Sequence, residues 1–213
     1  MVCDTQRTLS YSLIASAEVA KAEVRACEGN QVGRMSVPRA VAFDLDGCLW
    51  DPEMYELWGS GGSPFEKDGD NLVDRGGVSV HLIGDARAVL NELSTAEKFQ
   101  STHVATASSC DEPSWARECI QKFEIDSDKS MGSAFHSHEI YKASSKQIHI
   151  SKICEAAGCK PEEVIFFDNQ MNNCNAVVKM GTTTVFTGTS GVTSAMWKMA
   201  LEEFPAPGRI LRM

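Results

Sequence analysis

Asp44 and Asp46 stand two residues apart, directly after the apolar run Val41-Ala42-Phe43, and Gly47 follows them. A carboxylate placed where a buried strand ends can attack phosphorus and form an aspartyl-phosphate. A second carboxylate in the same crevice can protonate the leaving oxygen and then activate a water. Gly47 permits the tight turn that brings backbone amides close to a phosphate. The same residues also fit a plain Asx-type turn closing a strand, with Asp chosen for local hydrogen bonding. Taken alone, the segment does not decide between these readings.

The elements that would have to position these carboxylates are legible from Pro38 onwards as strand, loop and helix in repetition. The first strand ends at Asp44, and the stretch from Asp51 to Gly77, rich in Gly, Pro and charge, is too long for an ordinary connection. Asp85 is placed to cap a helix carrying Ala86, Val89, Leu90 and Leu93 on one face. His103 to Ala107 reads as a strand. Pro113 then opens a helix with Trp115, Cys119, Ile120 and Phe123 along one side. Ile150, Ile153, Cys154 and Ala157 repeat at helical spacing up to Gly158.

Val164-Ile165-Phe166-Phe167 is apolar without alternation, as in a strand covered on both faces, and Asp168 ends it. A short helix to Gly181, a strand over Thr182 to Phe186 and a helix over Thr193 to Phe204 complete the pattern. Strands alternating with helices predict an α/β fold, a Rossmann-like doubly wound parallel sheet. Such sheets bind ligands at the carboxyl ends of their strands, and Asp44, Ser108 and Asp168 all fall there.

The chain has 213 residues and a formal charge of -9 at pH 7, which argues against nucleic acid or another polyanion as a partner of its general surface. A phosphate substrate then needs a locally positive pocket, made by a metal ion or a few aimed cations. No apolar run reaches the roughly 20 residues of a membrane helix, so no membrane association is expected. The eight cysteines form no CxxC pair, and a chain of this size with its own core favours reduced thiols and a cytoplasmic setting. Residues 1–37 read as an N-terminal extension, helical around Leu13, Ile14, Ala17, Val19, Ala20 and Val24 or partly disordered. Its acids Asp4, Glu18, Glu23 and Glu28 weigh against an organelle-targeting peptide without removing that reading.

Phe43-Asp44-Leu45-Asp46-Gly47-Cys48-Leu49-Trp50 resembles the first motif of the haloacid dehalogenase superfamily and, more closely, that of the magnesium-dependent phosphatase family. Further segments follow in the order of that family. Pro64-Phe65, Val73-Asp74-Arg75-Gly76 and Val80 to Leu82 come next, then Ala107-Ser108, Ile140-Tyr141 with Lys146, and Phe166-Phe167-Asp168-Asn169 with Asn173. The resemblance covers roughly Pro38 to Phe204. It implies Asp44 as nucleophile and metal ligand, and Asp46 as general acid/base lending its backbone carbonyl to the metal. It further implies Leu45, Ser108, Ser109 and Lys146 as phosphate-binding groups, and Asp168 and Asn169 as metal ligands for Mg²⁺.

Three departures stand out. Cys48 replaces the usual Thr, a weaker donor; Ser109-Cys110 replaces Arg-Thr; Asn169 replaces the second acid of the fourth motif. Lys146, taken without the motif order, is an ordinary solvated lysine at a helix start. Thr106 competes with Ser108 for the second motif but lies inside the strand. His136, His138 and His149 could ligate a metal, yet no acidic partner sits at metal spacing. Trp50, Tyr55 and Trp58 either cover the site or pack the loop.

The resulting expectation is one domain over residues 38–213 with a small insertion after the first strand and no large cap domain. Its expected activity is Mg²⁺-dependent hydrolysis of a phosphomonoester, on phosphotyrosine-like or sugar-phosphate groups, carried by a phosphorylated protein or a small molecule. The rival reading is a non-catalytic or weakly active phosphoryl-binding domain on the same fold.

Overall fold

The computed structural model describes residues 36–127 and 129–213, so the helix expected near residues 13–24 lies outside the described residues. The central sheet contains β1 (Ala40–Phe43), β6 (His103–Ser108), β9 (Ser137–Ile140), β10 (Val164–Asp168), β11 (Thr183–Phe186) and β12 (Ile210–Leu211). All its pairings are parallel, in the order β12-β11-β10-β1-β6-β9. The chain leaves β1 for β6 on one side and later returns to β10 on the other. The carboxyl end of β1 is therefore a topological switch point, where such sheets form their crevice.

Residue alternation explains why this sheet is covered twice. Val41 and Phe43 of β1, with Ile165 and Phe167 of β10, belong to one apolar cluster. That cluster includes Leu90 of α1 (Ala86–Thr95), Ile120 of α2 (Pro113–Lys122) and Trp197 of α5 (Ser194–Glu203). Ala40, Ala42, Val164 and Phe166 point the other way, against Ile150 and Ile153 of α3 (Lys146–Ala157) and Val177 of α4 (Met171–Val177). Both faces are apolar because both are buried, and the small alanines on one face let α3 approach closely.

The insert after β1 is ordered. β2 (Trp50–Asp51), β3 (Glu66–Asp68), β4 (Asn71–Val73) and β5 (Ser79–Leu82) form an antiparallel sheet in the order β2-β5-β4-β3. A short 3₁₀ helix spans Met54–Gly59. Asp74 organises the connection by accepting from the amides of Gly62 (3.1 Å), Gly76 (2.9 Å) and Val78 (2.8 Å) and from the Ser60 hydroxyl. The Gly- and Asp-rich composition thus serves turns around one buried carboxylate, and no large cap is built. A two-stranded ribbon, β7 (Glu124–Asp126) with β8 (Lys129–Ser130), follows α2.

One local expectation is corrected and two are extended. Asp85 precedes α1 but makes no side-chain cap there; its Oδ2 instead accepts from Ser194 N at 2.7 Å and caps α5. Trp115 is partly buried and packs against the cluster that holds Cys119, Ile120 and Phe123, as expected, and Ala116 joins them. Strands β9 and β12, absent from the sequence reading, lie at the two edges of the sheet, where short, half-polar segments suffice. Among the described residues, no helix is long and apolar enough to cross a membrane.

Candidate active site

Three strand ends converge at the switch point. Asp44 follows β1, Ser108 ends β6 and Asp168 ends β10; Asp44 N donates to Phe167 O at 2.9 Å, locking the first and third together. Lys146, the first residue of α3, reaches this point from the opposite face. Its Nζ lies 2.5 Å from Asp44 Oδ1 and 3.3 Å from Asp168 Oδ2, and it donates to Ala107 O at 2.5 Å. The side chain is 1% exposed. Burial opposes the ammonium charge, but Asp44 and Asp168 outweigh it and hold its pKa above the ordinary value. This lysine is not a solvated helix start. It is a buried counter-charge whose partners must stay in place, because an unpaired charge here would be costly.

The two acids of the first motif are treated differently. Asp44 carries the lysine. Among the described residues Asp46 has no cation beside it; its Oδ1 accepts from the Trp50 indole Nε1–H at 2.7 Å. Burial and then the charge of Asp44 push Asp46 up to about 7, against the pull of Trp50 and the Met54 amide. Trp50 is fully buried and stacked on Phe123, while Tyr55 and Trp58 are exposed and meet edge to face at 6.2 Å. The sequence left these three aromatics equivalent. The structure separates them, with Trp50 inside against Asp46 and the other two outside.

The loop between the acids and β2 winds around one carbonyl. Leu45 O accepts from the amides of Cys48 (3.1 Å) and Leu49 (2.8 Å), and Gly47 N donates to Trp50 O at 2.8 Å. Among the described residues the backbone amides of Leu45, Asp46 and Ser109 make no backbone hydrogen bond outside the regular elements. Gly47 has φ +68°, and a Cβ there would sit 2.2 Å from Asn169 Nδ2. The glycine is needed both for its left-handed backbone and for the space its bare Cα leaves to Asn169.

The fourth motif divides in the same way. Asp168 is saturated: Gln170 N donates to Oδ1 at 2.7 Å and Asn173 Nδ2 reaches both oxygens at 3.2 and 3.1 Å, beside Lys146. Burial and the Asp44 charge push it up to about 7, with Lys146 pulling the other way. Asn169 Oδ1, by contrast, is buried with no hydrogen-bond partner among the described residues. An orphaned amide oxygen lying over the Asp44–Gly47 turn is an expensive feature unless something accepts its lone pairs. Among the described residues no cluster of three His, Cys, Asp or Glu side chains can hold a metal. A cation here would lean on mixed oxygens, and the donor set of carboxylate, backbone carbonyl and amide suits a hard ion such as Mg²⁺.

The remaining candidates are placed as follows. Ser108, the last residue of β6, is buried and Ser109 after it is exposed. Thr106 lies within β6, its hydroxyl buried and unpartnered. Cys48 is fully buried and burial raises its pKa well above the ordinary thiol range, so it is an inert thiol. Cys110, which the sequence did not single out for a role, lies beside Asp46; burial and that carboxylate push it up to about 12. His136 Nδ1 accepts from Val104 N at 3.0 Å, and His138 lies on β9 with its ring against Phe135. His149 is the one histidine of the three that touches the site.

Residues 36–206 match the family model described as Acid Phosphatase. Human "Magnesium-dependent phosphatase 1" is 30% identical over 160 residues, covering 70% of this chain and 77% of that protein. A HAD-like hydrolase superfamily protein of Schizosaccharomyces pombe is 27% identical over 154 residues, covering 71% of this chain and 87% of the relative. Two solved structures show the same fold. The N-terminal part of BF1531 from Bacteroides fragilis, containing a phosphatase domain complexed with Mg, has a TM-score of 0.55 at 15% identity and covers 79% of this chain and 41% of that one. A HAD-superfamily hydrolase from Ehrlichia chaffeensis has a TM-score of 0.51 at 14% identity, covering 78% and 96%. The convergence of Asp44, Asp46, Ser108, Lys146 and Asp168 and the span of these matches lead to one assignment: this chain belongs to the acid phosphatase family, within the haloacid dehalogenase superfamily, and is a phosphatase.

Proposed function

We propose that the chain hydrolyses phosphomonoesters through an aspartyl-phosphate on Asp44, with Mg²⁺ as its metal. The observation that carries this reading is the asymmetry of the two first-motif acids: Asp44 paired with Lys146 at 2.5 Å, Asp46 without a cation among the described residues and pushed up to about 7. Two acids in one crevice with environments that push them apart take different roles.

In this reading an oxygen of Asp44 attacks phosphorus and the bond from phosphorus to the leaving oxygen breaks. Asp46 delivers its proton to that oxygen, then takes a proton from the water that attacks the acyl phosphate, regenerating Asp44 and releasing phosphate. Lys146 stays protonated throughout and balances the phosphoryl charge. The amides of Leu45 and Ser109 and the Ser108 hydroxyl hold the phosphoryl oxygens. Asp44, the Asp46 carbonyl, Asp168 and Asn169 Oδ1 would hold the Mg²⁺. When bound, the ion supplies positive charge that Lys146 alone does not provide.

A leaving group with a ring, as in phosphotyrosine-like or sugar-phosphate esters, is supported by the exposed Tyr55 and Trp58. The Trp58 indole donates to Glu112 Oε1 at 2.9 Å, which joins the insert to the segment between Ser108 and α2. With no large cap over the crevice, an attached protein chain as well as a small molecule would fit. The test is hydrolysis of p-nitrophenyl phosphate with Mg²⁺ or EDTA, for wild type and Asp44→Asn. The reading requires turnover that EDTA abolishes and that the variant lowers at least about a thousandfold. Equal turnover by the variant would end it.

A further inference from the structure

Helix α3 presents two side chains to the site from one face, three residues apart. Lys146 grips Ala107 O; His149, fully buried, grips the next carbonyl along. His149 Nε2 lies 3.1 Å from Ser108 O and 3.1 Å from Tyr141 O. Both partners are carbonyl oxygens and can only accept, so Nε2 carries the proton and Nδ1 is bare. Nδ1 is buried and without a partner among the described residues. The Tyr141 ring stacks on the imidazole with centroids 4.4 Å apart and planes 11° from parallel, which fixes the ring's rotation. Tyr141 N also donates to Ser108 O at 3.1 Å.

One ring thus staples the end of β6 to the segment that precedes Lys146. Metal ligation is not open to it, because Nε2 is spent on two carbonyls and Nδ1 faces the protein interior. The arrangement is more than core packing, since the tethered carbonyl belongs to Ser108 itself.

We propose that His149 is a positioning residue for the phosphate subsite: its Nε2–H fixes where the Ser108 hydroxyl and the Ser109 amide meet the phosphoryl oxygens. This rests on the reading of Ser108 and Ser109 as phosphate-binding groups. Losing one such hydrogen bond should weaken phosphate binding by about three- to tenfold. It should leave Lys146 and Asp44 in place.

The test compares His149→Gln, whose amide N–H can reach the same carbonyls, with His149→Met, which fills similar space without a donor. Inhibition by inorganic phosphate, KM and kcat are measured with p-nitrophenyl phosphate, alongside melting temperature. The expected result is a phosphate Ki and a KM raised about three- to tenfold in the Met variant, with near wild-type values in the Gln variant. A folded Met variant with unchanged Ki and KM would overturn the proposal, as would Gln and Met variants raised equally. Should the Met variant not fold, the ¹⁵N spectrum of wild-type His149 decides. A protonated Nε2 with bare Nδ1, whose Nε2–H resonance moves on adding phosphate, is expected; the other tautomer, or no response, overturns it. A wild type that phosphate does not inhibit would fail the reading of the subsite itself, whereas normal inhibition with an unaffected Met variant would fail only the role of His149.

Discussion

The indole Nε1–H of Trp50 donates to Asp46 Oδ1 at 2.7 Å, and the same two residues are bridged through the backbone. The bond favours the ionised form of Asp46 and so restrains the rise that burial imposes. Trp50→Phe keeps a ring to stack on Phe123 but removes the donor. A hydrogen bond to a charged group contributes about 1.5–3 kcal/mol, and one pKa unit corresponds to about 1.4 kcal/mol. The high-pH fall of kcat/KM for an alkyl phosphate should therefore move upward by about one to two units. An unmoved profile would separate Trp50 from the proton transfer.

Asp46→Asn removes the transferable proton and leaves the backbone carbonyl in place. Alkyl phosphates, whose leaving oxygens need protonation, should slow by about 10²–10⁴-fold. p-Nitrophenyl phosphate should slow less in a pre-steady-state burst, which isolates the first step from hydrolysis of the intermediate. Equal losses in the burst rate for both substrate types would contradict the role of general acid.

The fourth motif makes a prediction about the metal. Asn169 Oδ1 is orphaned and neutral, so Asn169→Asp should lower the Mg²⁺ concentration for half-maximal activity by roughly tenfold or more. Gly47→Ala should act in the opposite sense, because its Cβ would displace the Asn169 amide and the backbone would resist φ +68°. If Mg²⁺ titrations of both variants overlay the wild type, Asn169 is not a ligand.

Proton linkage gives a check that needs no substrate. Asp46 and Asp168 are pushed up to about 7 in the folded, metal-free protein, from ordinary values near 4. The folded state then holds more protons than the unfolded one between about pH 4 and 7, so these groups lose stability as pH rises through that window. His103, His138 and His149 are lowered by burial and contribute in the opposite sense, since their stability is lost as pH falls. The informative quantity is consequently the Mg²⁺-induced gain in melting temperature, in which the histidines largely cancel. It should be small at pH 5 and grow towards pH 7.5. A gain independent of pH would show that the Asp168 carboxylate is not what the ion relieves.

Much of this arrangement was legible in the sequence, for identifiable reasons. β1 and β10 announce themselves because both faces are buried, leaving no polar residue to blur Val41-Ala42-Phe43 or Val164 to Phe167. The edge strands β9 and β12 do not, because Ser137-His138-Glu139-Ile140 buries little and pairs on one side only. Asp44, Ser108 and Asp168 were placed by strand ends alone. Lys146 was not, since nothing in its local sequence distinguishes a buried counter-ion from a solvated lysine.

The roles of Trp50 and His149 were hidden for another reason. Trp50 is four residues after Asp46 across a turn, and its direction depends on the Leu45–Trp50 loop geometry rather than on any periodicity. His149 carried a readable signal, its i+3 spacing from Lys146 on the same helix face. That spacing places the ring at the site but does not name the carbonyl it holds. Asp85, legible as a cap, capped a different helix, because tertiary packing put Ser194 N within 2.7 Å of it.

The central claim is covalent chemistry on Asp44, and trapping the intermediate tests it most directly. Wild-type protein mixed with excess p-nitrophenyl phosphate and Mg²⁺ is acid-quenched, reduced with borohydride and digested for mass spectrometry. An acyl phosphate at Asp44 would be reduced to homoserine at that position, and the account predicts homoserine at residue 44, absent without substrate. An active enzyme that yields no homoserine at residue 44, or yields it at Asp46 or Asp168, would contradict the account.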